Sequence, residues 1–166
     1  EASLAKLHNY EITYDEALTN QRMAQVAEAV GDILPVKAMG LESGYGSACK
    51  TWDDIVLYRG LDTLFYDLVE RPEFIHKLMT RLTDIYVDMV HQIDEMGLWE
   101  ANAYYNHSTC ALTNDLHPDY THPTAKGVWG RGLAQIFASV SPEMHDEFDT
   151  QYMIRAMEPY GLVYYG

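Results

Sequence analysis

The residues best suited to chemistry in this 166-residue chain crowd into positions 107–127. His107, Cys110, Asp115, His117 and His122 stand there in a long polar stretch. Thiolate and neutral imidazole are zinc ligands, and the His107-x-x-Cys110 spacing lets two ligands approach one metal from a single turn. A metal-bound thiolate has lost its proton and is a nucleophile, which suits alkyl transfer. The full spacing matches no standard zinc motif, and a solvated loop that happens to hold histidines is the plainer alternative.

A second group follows. Trp129-Gly130-Arg131-Gly132, with Gln135, precedes an apolar run. Glycines let a backbone come close to a ligand, and a planar guanidinium grips a carboxylate or phosphate at two points. Arg131 is therefore the candidate anion-binding residue, with Trp129 and Gln135 beside it. Tyr45, in the glycine-rich stretch 41–50, is a candidate for the same mouth. That stretch lacks the Gly-Lys-Ser/Thr ending of a phosphate loop. Tyr164 and Tyr165 alternate across a strand, so only one faces the interior. Tyr164 is the candidate proton donor, and with Arg131 it forms the expected catalytic pair. His76, His91 and His145 fall on predicted helices and read as helix-surface residues. No Ser-His-Asp order, nucleophile elbow or dinucleotide fingerprint is present.

The elements that must position these groups alternate. Helical spacing covers 15–30 and stops at Gly31. LPVKAM at 34–39 reads as a buried strand. Thr51 is expected to cap a helix reaching Arg59, with Asp53 and Asp54 in its first turn. A second helix runs from about Leu61 to Val69. Pro72 then opens a long helix that Gly97 closes, with Phe74, Ile75, Leu78, Leu82, Ile85, Met89, Ile93 and Met96 on one face. Residues 101–106 resemble a strand end. LAQIFASV at 133–140 reads as a strand. Ser141, Pro142 and Glu143 start a helix that ends near Tyr160–Gly161, and LVYY at 162–165 is a last strand. Strands separated by helices predict a parallel sheet.

Charge and composition narrow the function. A net charge of −14 repels phosphate backbones and anionic lipid, which argues against nucleic-acid and membrane partners. No apolar run reaches the roughly 20 residues that cross a bilayer. The N-terminus lacks a signal peptide and an initiator Met, which fits either a processed start or a segment of a longer protein. Two cysteines and no secretion signal fit a reducing cytoplasm. The 13 tyrosines, several of them in loops, fit a pocket for a ring-shaped ligand.

Residues 51–97, with YRGLDTLFYDL running into ERPEFIHKLM, and the helix start SVSPEMHDEFDTQYM at 139–153 resemble the uroporphyrinogen decarboxylase superfamily. The resemblance implies a (β/α)8 barrel of the TIM type. The chain, 1–166, would be a single domain forming the C-terminal portion of that barrel, because its few strands cannot close eight. It implies an enzyme: a methyltransferase passing a methyl group to or from a corrinoid or thiol with zinc, or a lyase decarboxylating a porphyrinogen. A non-catalytic binding or assembly piece is the third alternative. Expected cofactors are zinc, through His107 and Cys110, and a corrinoid (cobalamin type) as substrate or carried by a partner protein. A small-molecule or corrinoid-protein substrate and a homo-oligomer complete the expectation. The methyltransferases carry a His-x-Cys-Gly turn after a late strand, and here Tyr164 stands in the histidine's place.

Overall fold

The computed structural model describes residues 4–42, 48–101, 104–106 and 110–166. Helices dominate. They are α1 (Glu16–Val30), α2 (Thr51–Arg59), α3 (Leu61–Glu70) and α4 (Pro72–Met96). A short antiparallel hairpin follows, β1 (Tyr104–Asn106) with β2 (Cys110–Leu112). The chain then forms β3 (Trp129–Gly132), a 3-10 turn (Gln135–Ser139), and three helical segments in series. These are α5 (Pro142–His145), a π turn (Asp146–Thr150) and α6 (Gln151–Met157). The last strand is β4 (Leu162–Tyr165), parallel to β3 and in register from Trp129↔Leu162 to Gly132↔Tyr165.

The expected (β/α)8 barrel is therefore not the architecture of the described residues: they contain one parallel pair and one hairpin. Two expected strands fail for identifiable reasons. Residues 34–39 form no strand and all but Val36 are exposed; their end is held by the Gly40 amide and Lys37 bonding to Glu100 and by the bridge Leu41↔Trp99. Residues 133–140 instead coil. Ala134 and Phe137 are buried three positions apart, the spacing of a tight helical turn and not of a strand. The strand lies earlier, in the glycine-rich WGRG.

Those glycines have a packing reason. A Cβ on Gly130 would come within 2.5 Å of the Tyr160 ring, and one on Gly132 would strike the Met153 sulfur. The helical rod and its following turn thus lie almost on the backbone of β3. The result is one β–α–β unit with the parallel order expected of a helical crossover.

The core has two parts that share α4. Its first half packs Ile75 and Met79 against Trp52 and Ile55 of α2, Leu64 and Leu68 of α3, Phe137 and Phe148. Its second half packs Tyr86, Val90 and Ile93 against Trp99, Val128, Met153, Met157 and Tyr160. Pro72 sits in the first turn, and Gly97 adopts the left-handed conformation (φ 62°) that ends α4. Of the expected apolar face, Ile75, Ile85 and Ile93 are buried and Met96 is exposed. At α2, Lys50 holds the cap position without a side-chain bond, while Thr51 is the first helical residue. In contrast, Asp15 caps α1 by accepting from the Leu18 amide, yet α1 buries no residue.

Candidate functional site

The ends of β3 and β4 are joined by more than their own ladder. The Gly166 amide donates to the Gly132 carbonyl (3.1 Å), and Ala134 donates to the Gly166 carbonyl (3.2 Å). On the other side of β3, Cys49 donates to the Arg131 carbonyl (2.8 Å), and Leu133 donates back to Cys49 (3.2 Å). Three chain segments therefore end together, and α2 starts two residues after Cys49. The carboxyl ends of parallel strands are where ligands gather in α/β proteins.

Strand alternation splits the side chains there between two faces. Gly130 and Gly132 face the helical rod, so Trp129 and Arg131 face away from it. Val163 and Tyr165 face the rod side, so Leu162 and Tyr164 project with Trp129 and Arg131. Arg131 and Tyr164 are register partners, which makes them neighbours on one face. Both are half-buried. Gln135 is exposed, in the 3-10 turn beyond the strand end, and does not belong to that row.

Tyr45 and His107 lie outside the described residues, and so does the side chain of Cys110. The backbone of Cys110 is placed: it opposes Asn106, the residue before His107. Asp115 is exposed and bonded to Thr113. Among the described residues no three of His, Cys, Asp and Glu are grouped to hold a metal ion. No described helix is long and apolar enough to cross a membrane.

The rod face of the strand pair holds a cluster that the sequence reading missed. Asp149, fully buried in the π turn, accepts from the Trp52 indole N–H (2.8 Å) and the Tyr165 hydroxyl (2.7 Å). His145 Nε2 lies 2.5 Å from that hydroxyl oxygen and 3.5 Å from Asp149 Oδ2. Burial pushes the Asp149 carboxyl above the usual carboxylate range, against the lowering effect of these three partners. Burial and the neighbouring carboxylate together raise the Tyr165 phenol, which keeps its proton. Burial likewise pushes the Cys49 thiol up to about 11, so it stays a thiol at neutral pH and is no ready nucleophile.

His145 is thus not the surface histidine expected from its helix. The available signal was its i, i+4 spacing to Asp149 on a helix that leads into a strand ending in tyrosine. The π turn adds to it, because such turns recur at functional sites. Beside the cluster runs a groove of about 420 Å³, lined by Met153, Ile154, Met157, Val163 and Tyr165 among others. No family model, curated protein or solved structure matches the chain.

Proposed function

We propose that this chain carries an enzyme site for an anionic, ring-bearing small molecule, on the sheet face of Trp129, Arg131 and Tyr164. The observation that carries the reading is the register pair Arg131↔Tyr164 at the carboxyl end of parallel strands. A guanidinium has five N–H donors, so a local partner is compatible with a two-point grip on a ligand carboxylate. The phenol beside it is a hydrogen-bond or proton donor to the atom next to that carboxylate. Trp129 supplies a ring face against which a planar ligand stacks.

The first reading of the reaction is methyl transfer to or from a corrinoid or thiol, as the uroporphyrinogen decarboxylase resemblance of residues 51–97 and 139–153 implies. Its zinc would be held by His107 and Cys110. The second reading is decarboxylation of a porphyrinogen-type acid. Arg131 and Tyr164 favour it specifically, because an arginine to hold an acid arm and a donor to protonate the carbanion are what decarboxylation requires. Either reaction fits a cytoplasmic enzyme with a small-molecule or corrinoid-protein substrate.

Calorimetric titration with an acidic tetrapyrrole and with a corrinoid tests the site. Loss of a charge-assisted two-point contact, worth roughly 1.5–3 kcal/mol, should weaken binding about ten- to a hundredfold in Arg131→Ala. Arg131→Lys should recover part of it, because an ammonium lacks the planar fork. Equal affinity in wild type and both variants overturns the reading.

A further inference from the structure

Titratable groups converge a second time at these strand ends, on the rod face. Tyr165 has one hydroxyl proton, and the carboxylate oxygen Oδ2 of Asp149 takes it at 2.7 Å. The contact of 2.5 Å between His145 Nε2 and the same hydroxyl is then a hydrogen bond only if Nε2 carries a proton. Asp149 Oδ2, at 3.5 Å from Nε2, favours the same form. In the neutral ring this leaves the lone pair on Nδ1, and no described residue bonds to that nitrogen.

The ring is also fixed in orientation. It stacks on Phe137 (centroids 5.5 Å apart, planes at 22°), and its side chain is 34% exposed. Asp149 in turn is held by the fully buried Trp52. A base whose far nitrogen is tied through a hydroxyl to a buried carboxylate is a base held in one tautomer, the logic by which orienting groups activate a histidine.

We propose that His145 is a general base at the carboxyl ends of β3 and β4, oriented through Tyr165 by Asp149, and that it takes a proton from a thiol or hydroxyl of a bound ligand. Asp149 and Tyr165 are positioning residues. The ligand is distinct from the one proposed for the Arg131 face, which lies on the other side of the strands, and the base rests on its own geometry. In the step, the ligand's S–H or O–H bond breaks, its electron pair stays on sulfur or oxygen, and an Nδ1–H bond forms. The imidazolium that results donates Nε2–H toward Tyr165, and the Asp149 charge stabilises it. Tyr165 passes no proton on. Trp52, Phe137 and the Cys49 thiol, which reach the cluster from other elements, are uncharged at neutral pH, and among the described residues the carboxylate within 4 Å of His145 is that of Asp149.

The test is long-range proton–nitrogen NMR of the imidazoles across pH 5–9, with diethyl pyrocarbonate acylation read by peptide mass. In the wild type, neutral His145 should be in the Nε2–H form, and it should be acylated at a rate comparable to the exposed His91. Tyr165→Phe should return His145 to a mixture of tautomers. Asp149→Asn, which removes the carboxylate that takes the Tyr165 proton, should weaken the same tautomer preference. Native-like spectra of Tyr165→Phe keep the test valid if Asp149→Asn fails to fold. A tautomer mixture in the wild type, an unchanged tautomer in Tyr165→Phe, or His145 resistant to acylation overturns the proposal. None of these outcomes depends on whether Arg131 binds an anion.

Discussion

Tyr164 and Tyr165 are consecutive, identical in side chain and on the same strand, yet they belong to different structures. Tyr165 turns to the helical rod, where a buried carboxylate takes its proton and an imidazole approaches its oxygen. Tyr164 turns the other way, into the row shared with Arg131. Along β3 the rod face is closely packed, for glycines admit Tyr160 and Met153 against the strand and Asp149 is sealed beneath it, while Val163 and Tyr165 of β4 stay exposed beside the groove. Changes at Gly130, Gly132 and Asp149 should therefore register as stability, whereas changes at Arg131 and Tyr164 should register as binding. A strand one residue out of phase would exchange the two roles.

The largest expected effect is at Asp149. Asp149→Ala strands the Trp52 indole N–H in the core and frees the Tyr165 hydroxyl. Losing two hydrogen bonds to a charged group should cost about 3 kcal/mol, measured as a lower urea midpoint with an unchanged slope. A loss as large in Arg131→Ala would break the comparison between the faces.

Gly130→Ala comes next. Its methyl would meet the Tyr160 ring, which cannot easily yield because the Tyr160 hydroxyl is bonded to Tyr86 at 2.8 Å. Overpacking of this kind costs about 2 kcal/mol, again read by urea unfolding. Gly132→Ala should cost less, because Met153 is an unbranched, adaptable neighbour.

The smallest effect is a pH dependence. An unfolded Asp ionises near about 3.9, whereas burial makes folded Asp149 hold its proton to higher pH. Between those two midpoints unfolding releases a proton, so raising the pH favours the unfolded state. From about pH 4 up to the folded midpoint, the wild type should lose stability relative to Asp149→Asn, and the two curves should run parallel above it. Urea midpoints of both proteins from pH 4 to 7 measure this. A wild type that gains on the variant over that window would show the folded carboxyl to be stabilised in its charged form.

What the sequence made legible was local and repetitive. The bounds of α4 follow from Pro72, Gly97 and an apolar stripe that steps by three or four residues from Ile75 to Met96. The Ser141-Pro142 start follows from cap chemistry, and the Ser141 hydroxyl does accept from the Met144 amide. LVYY is short but bounded by glycines. What stayed hidden depends on partners distant in sequence. Gly130 and Gly132 look like loop residues until Tyr160 and Met153 are placed over them. Ala134 and Phe137 sit in an apolar run too short to tell a turn from a strand. Asp149 reads as a solvated helix residue, because nothing nearby in sequence announces that Trp52, 97 residues earlier, donates to it. The Arg131–Tyr164 neighbourhood was half visible: both residues stood out, but only the register joins them.

The π turn sets the phase of the rod. Positions four apart overrun a 3.6-residue helical turn by roughly 40° each, so three such steps would carry a side chain about 120° around an ideal helix. His145, Asp149, Met153 and Met157 are spaced in this way, and the last three are all buried. The wider turn at Asp146–Thr150 takes up much of that drift and keeps polar and apolar members in a single file along the strands. One residue of surplus thus works as a rotational spacer. It allows the same helix to set a charged group at the strand ends and thioethers farther along, without twisting either out of line.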